Sequence, residues 1–131
     1  MKYIKNLLQL YNDTIKRPFL VKPVTIQFPV NDICNSRCVM CDIWKNKKTY
    51  QITPKELSYI LKDPLYTNVQ SIGLNGGEPT LRSDLIDIAK VSIKYLPSLK
   101  SISLITNAIK IDRCIQVVDQ LGDLCSKTGK M

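Results

Sequence analysis

Three short β-prone runs, each followed by a stretch of helical periodicity, constrain this chain more than any other feature. The runs are Val24-Thr25-Ile26-Gln27-Phe28, Val69-Gln70-Ser71-Ile72-Gly73-Leu74 and Ser101-Ile102-Ser103-Leu104-Ile105-Thr106. Pro29 limits how far the first can pair, because proline brings no backbone donor. Between the first two, Thr53-Pro54-Lys55-Glu56 has the make-up of a helix start: threonine as cap, proline at the first helical position, and glutamate reaching back three residues later. That helix carries Leu57, Ile60 and Leu61 and stops near Asp63-Pro64. Ser83 is placed to cap a second helix through Leu96, with Leu85, Ile88, Ala89, Ser92, Ile93 and Leu96 on one face and Pro97 ending it. Asp112 is placed to cap a third, carrying Ile115, Val118 and Leu121 and interrupted at Gly122. Strand–helix alternation with crossovers of this length predicts an α/β chain with a parallel sheet.

Ahead of this region, Ile4, Leu7, Leu8, Tyr11 and Ile15 recur at helical spacing, which predicts an N-terminal amphipathic helix within residues 1–18. The expected organisation is therefore that helix followed by one domain over 19–131. No apolar stretch approaches the ~18 residues of a membrane span, and the N-terminus has no signal-peptide pattern. Apolar content of 44% against 23% charged excludes disorder by composition. These features predict a cytoplasmic protein.

Nineteen Lys and Arg against eleven Asp and Glu give a net charge of +8, but only Lys45-Asn46-Lys47-Lys48 forms a tight cluster. Scattered basic residues solvate a surface as readily as they bind nucleic acid, so a nucleic-acid partner is not favoured. The chain has no histidine, which excludes histidine general-base and Cys–His nucleophile schemes within it.

A parallel βα chain sets its strand C-termini on one rim, where such folds gather their chemistry. The loops leaving that rim run over 31–51, 75–82 and 107–110, and the unusual residues concentrate there. Cys34, Cys38 and Cys41 have the spacing C-x3-C-x2-C. In a chain from a reducing compartment, that spacing points to metal rather than disulfides. Thiolates hold zinc or iron–sulfur clusters, usually four at a time. Three leave one metal position open. Two other arrangements fit the spacing: three buried thiols on one helix face, and a closed zinc or iron–sulfur module completed by Cys114 or Cys125.

The cysteine segment, with Met40 before the third cysteine, resembles the C-x3-C-x-Φ-C motif of the radical S-adenosylmethionine family. Gly76-Gly77-Glu78-Pro79 after the second strand resembles that family's GGE motif. Ile105-Thr106-Asn107-Ala108 resembles its T-N-G, with alanine in place of glycine. The run Cys38-Val39-Met40-Cys41-Asp42-Ile43-Trp44 is most similar to the branch of molybdenum-cofactor cyclases and SPASM-type enzymes.

The resemblance implies an incomplete parallel (β/α) barrel, three strand–helix units of the family's six, which makes the chain the N-terminal half of a larger enzyme domain. It implies a [4Fe–4S] cluster on Cys34, Cys38 and Cys41, with S-adenosylmethionine chelating the fourth iron and being cleaved to a 5′-deoxyadenosyl radical. It implies contacts to that cofactor from Met40, Gly76, Gly77, Glu78 and Asn107, with Glu78 offering an anionic acceptor to the ammonium group. The implied partners are a peptide or small-molecule substrate and an electron donor such as flavodoxin or ferredoxin. A sheet stopping after three strands is also expected to expose apolar surface where the opposite barrel wall is missing.

Overall fold

The computed structural model describes residues 22–46 and 51–130. The amphipathic helix expected over residues 1–16 lies outside the described residues, as do Lys47 and Lys48 of the basic cluster. Strands β1 (Thr25–Asn31), β2 (Ser71–Gly76) and β3 (Ser101–Leu104) form one sheet in the order β1-β2-β3, parallel throughout. Helices α1 (Pro54–Ile60), α2 (Leu85–Tyr95) and α3 (Ile111–Thr128) follow the strands in turn.

Register and alternation divide the sheet into two unlike faces. Ile26 pairs with Ile72 and Ile72 with Ile102, while Phe28 pairs with Leu74 and Leu74 with Leu104. These side chains pack in one apolar core with Leu57 and Leu61 of the α1 region, Leu85, Ile88 and Ala89 of α2, and Val117 and Leu121 of α3. All three helices thus cover the same face. Neighbouring strands in chain order with helices on one side only are the winding of a (β/α) barrel, not of a doubly wound sheet.

The opposite face carries Thr25, Gln27, Ser71, Gly73, Asn75, Ser101 and Ser103. It is polar, contrary to the apolar surface expected there. Gln27 lies across Gly73, where an added Cβ would stand 2.4 Å from its amide oxygen, and accepts a 2.8 Å hydrogen bond from the Asn75 amide. Apart from Pro29, which pairs with Asn75 on the exposed side, the apolar residues of the paired strands lie on the helix side, so the other face presents mainly hydrogen-bonding groups.

Local chemistry explains most boundaries. At α1 the Thr53 backbone N–H donates to Glu56 at 2.8 Å, and the Glu56 N–H donates to the Thr53 hydroxyl at 3.2 Å, the expected reciprocal cap. Pro29 does not stop β1. The Val24 carbonyl accepts from Gln70 N–H on the β2 side at 2.8 Å, so by alternation the missing donor of Pro29 points away from β2. A register shift between Pro29 and Asn31 then turns the Asn31 carbonyl towards β2.

Ser83 does not cap α2. Asp84 holds the cap position without bonding a backbone amide, because its carboxylate accepts from Arg82 at 2.6 and 3.0 Å. Ile93 is only half-buried. Asp112 likewise lies inside the first turn of α3, whose cap position is Lys110. The buried stripe of α3 is Cys114, Val117 and Leu121, with Ile115 and Val118 about half exposed. Gly122 does not interrupt this helix, which runs on to a left-handed Gly129. No helix among the described residues is long and apolar enough to cross a membrane.

Candidate functional site

Continued backbone pairing beyond the strand ends brings the three rim loops together. Gly77 N–H donates to the Asn31 carbonyl at 2.9 Å and Glu78 N–H to the Ile33 carbonyl at 2.8 Å. The Asn31 side-chain amide returns a 3.1 Å bond to the Glu78 carbonyl. The cysteine loop is thereby stapled to the Gly-Gly-Glu turn immediately before Cys34. Both glycines are required by this staple. A Cβ at Gly76, where φ is +116°, would stand 2.2 Å from the Asn31 carbonyl oxygen, and one at Gly77 would stand 2.2 Å from that of Ile33. Their missing side chains admit a neighbouring backbone.

Glu78 joins this pair of loops to the third. It is 1% exposed, and its carboxylate accepts from Thr80 N–H (3.0 Å), Thr80 hydroxyl (2.6 Å), Thr106 hydroxyl (2.7 Å) and Asn107 N–H (2.7 Å). Burial alone pushes its pKa up. The bonds from Thr80, Asn107 and Thr106 together outweigh burial and hold it below the ordinary 4.5, so it is a buried anion. Four donors on two oxygens match a carboxylate's acceptor capacity. An ammonium group would have to displace one of them.

Asn107 completes the junction. Its side-chain amide donates to Asn35 Oδ1 at 2.9 Å and to Cys34 Sγ at 3.7 Å, and its Oδ1 accepts from Ile109 N–H at 3.0 Å. Within the cysteine loop, Ser36 N–H donates to Cys34 Sγ at 3.4 Å and the Ser36 hydroxyl lies 3.2 Å from Cys38 Sγ. The loop is not helical over the cysteines. Cys38 and Cys41 are exposed and Cys34 half-buried, which removes the arrangement of three buried thiols on a helix face. Met40 is 97% exposed, so it fills no space in the core. Cys114 is buried with the α3 core, and Cys125 lies eleven residues further along that helix, about 16 Å down its axis. A closed site would require Cys114 to leave that core, or Cys125 to reach the rim from the other end of α3.

Among the described residues, no three His, Cys, Asp or Glu side chains converge as ligands of a single ion. The donor set nevertheless fits a four-iron cluster, in which each thiolate takes a different iron and the sulfurs stand apart. Among the described residues, three buried side-chain atoms lack hydrogen-bond partners, Asn31 Oδ1, Asp32 Oδ1 and Trp44 Nε1, and all belong to the segment that carries the cysteines. Arg37 and Lys45 stand 5.7 and 5.3 Å from the Trp44 ring centre, and Lys45 also pairs with Asp42 at 2.7 Å.

Ser36, Thr80 and Arg82 carry no motif signal in the sequence, and Thr106, though within the T-N-G-like motif, had no role assigned to it there. Arg82 is 3% exposed and donates to the Val30 and Ile52 carbonyls as well as to Asp84, tying the end of β1 and the start of α1 to α2. Its signal was a basic residue at a helix start, where the helix dipole favours acids.

Sequence comparison matches residues 28–126 to the Radical SAM superfamily. Among curated relatives, the probable GTP 3′,8-cyclase of Thermoplasma volcanium is 34% identical over 76% of this chain and 29% of its own length. The GTP 3′,8-cyclase of Actinobacillus pleuropneumoniae serotype 7 is 29% identical over 76% of this chain and 30% of its own. That of Pasteurella multocida is 27% identical over 85% and 34% respectively. The crystal structure of BtrN in complex with AdoMet and 2-DOIA is similar at a TM-score of 0.53 and 26% identity, covering 65% of this chain and 36% of that one. The chain thus spans about a third of the length of the relatives it matches. Members of the family are enzymes that use a [4Fe–4S] cluster and S-adenosylmethionine. With its three cysteines on the first rim loop and its parallel one-sided βα winding, this chain belongs to the radical SAM superfamily.

Proposed function

We propose that this chain is the cluster- and cofactor-holding part of a radical SAM enzyme. Cys34, Cys38 and Cys41 hold a [4Fe–4S] cluster and leave its fourth iron to the amino and carboxylate groups of S-adenosylmethionine. When bound, the cluster supplies the electron that splits the sulfonium into methionine and a 5′-deoxyadenosyl radical, which takes hydrogen from substrate. The observation that carries this reading is the meeting of all three rim loops at Glu78, beside a loop that presents Cys38 and Cys41 to solvent and Cys34 half-buried.

Each rim residue has a part in this reading. Gly76 and Gly77 let the cysteine loop close against the second rim loop. Glu78 serves as the anionic brace of the rim and offers its carboxylate charge to the ammonium group. The exposed Met40 side chain is free to cover the adenine. Asn107 locks the third loop to the first. We assign residues 19–131 to the N-terminal half of the barrel domain, with 1–18 as a preceding helix. The polar sheet face of Thr25, Gln27, Asn75 and Ser103 then forms the inner wall towards substrate. From the superfamily match we extend to this chain the generation of the radical, and from the cyclase relatives no substrate. Its substrate, a peptide or small molecule, and a flavodoxin- or ferredoxin-type electron donor complete the assignment.

The test is anaerobic reconstitution with iron and sulfide. We expect about four of each per chain, lost on Cys34→Ala, Cys38→Ala or Cys41→Ala and retained on Cys114→Ala and Cys125→Ala. Stoichiometric zinc without labile sulfide, or dependence on Cys114, would refute the open three-thiolate site.

A further inference from the structure

The side chain of Asn107 reaches a cysteine sulfur from a different rim loop, 73 residues away in sequence. All its polar groups are committed. The backbone N–H goes to Glu78, the amide hydrogens go to Asn35 and Cys34, and Oδ1 accepts from Ile109 N–H. Flipping the amide would set its oxygen against the Asn35 oxygen and the Cys34 sulfur, and its NH2 group against the Ile109 N–H. The donor is thus fixed in direction as well as in place. A donor aimed at a ligating thiolate withdraws charge from the sulfur, which favours the cluster's more negative, reduced state.

We infer that Asn107 tunes the cluster through its hydrogen bond to Cys34, and that Glu78 acts as the positioning residue that holds Asn107 there. The inference rests on the cluster assignment of the preceding subsection. It gives the Thr106-Asn107 pair a purpose that turning the chain does not need: Thr106 and the Asn107 backbone anchor to Glu78, which leaves the Asn107 amide free to point outward at sulfur. Ser36 supplies a second, local donor to Cys34 and a hydroxyl to Cys38, so Asn107 is the contribution that depends on the rest of the rim.

The test uses the full chain, reconstituted anaerobically, as wild type, Asn107→Ala, Asn107→Asp and Glu78→Gln. Iron and sulfide are counted, and the midpoint potential is measured by titration monitored by electron paramagnetic resonance. Both Asn107 variants lose the donor while only one gains a charge, so a shift they share belongs to the hydrogen bond. The expected result is unchanged iron and sulfide, with the reduced-to-oxidised ratio at the wild-type midpoint falling roughly tenfold in each, equal to about 59 mV more negative for one electron. Glu78→Gln also removes a buried negative charge, which by itself raises the potential, so a potential below wild type in this variant reports the lost placement of Asn107, and a rise overturns the positioning role of Glu78. Asn107 variants with the wild-type potential overturn the inference and leave the cluster assignment standing, as does loss of iron from both, because a tuning residue leaves the three ligands intact. A wild-type chain that assembles no four-iron cluster overturns the assignment and the inference together.

Discussion

Gly77 is the most demanding position in the rim, and Gly77→Ala tests how tightly the cysteine loop is locked. An added Cβ would meet the Ile33 carbonyl oxygen at 2.2 Å, its carbon at 2.6 Å and the Asp32 carbonyl carbon at 3.1 Å. Backbone atoms cannot swing aside as a side chain does. To regain an ordinary ~3.5 Å contact the loop must retreat by more than about 1 Å, which breaks the bonds Gly77 N–H to Asn31 and Glu78 N–H to Ile33. Each contributes about 1 kcal/mol. Residual strain adds about 1 kcal/mol, and the stiffer unfolded chain offsets roughly 0.5–1 kcal/mol. The net expectation is a loss of about 2 kcal/mol, read by urea denaturation of the reduced, metal-free chain, with faster labelling of Cys34 by a thiol reagent. Gly122→Ala is the control. Nothing lies within 4 Å of its added Cβ and its position is mid-helix, so it should stabilise by about 0.5–1 kcal/mol. A Gly77→Ala chain within about 0.5 kcal/mol of wild type, with unchanged Cys34 labelling, would refute the lock.

Arg82→Met should cost about 3 kcal/mol in the same assay, because it strips the partners from the Val30 and Ile52 carbonyls and leaves the Asp84 carboxylate unpaired; a neutral result would show that the buried guanidinium is dispensable. Glu78 and Asp84 both have folded-state pKa values lowered from 4.5 and 3.8, Asp84 chiefly through its hydrogen bond from Arg82. The stability they contribute is therefore complete above about pH 5 and is lost as the pH falls below those ordinary values and through the lowered folded-state ones, and Glu78→Gln should flatten that acid limb in a pH series of unfolding curves.

Much of this architecture could be read in the residues because its causes are local. The Thr53–Glu56 cap is set within four residues, and the strand–helix alternation follows from spacing alone. The face of α3 could not be read this way. Ile111, Ile115 and Val118 make one apolar stripe and Cys114, Val117 and Leu121 another, and only what α2 and the sheet present decides which is buried. Pro29 likewise depended on which way its nitrogen points relative to β2. At the rim, the cysteines, Gly76, Gly77, Glu78 and Asn107 stood out as motifs. Their mutual geometry did not, because Glu78 is satisfied by a loop 28 and 29 residues downstream and the glycines by one more than 40 upstream. The largely polar inner face of the sheet was legible in principle from the alternation Thr25, Gln27 and Ser101, Ser103.

The account stands most directly on whether a cluster held by these three thiolates offers an open iron to S-adenosylmethionine. The measurement is the electron paramagnetic resonance spectrum of the reduced, reconstituted chain before and after S-adenosylmethionine is added. A changed spectrum in wild type, kept in Cys114→Ala and Cys125→Ala, is the predicted result. A four-iron cluster whose spectrum stays the same at saturating cofactor would contradict it.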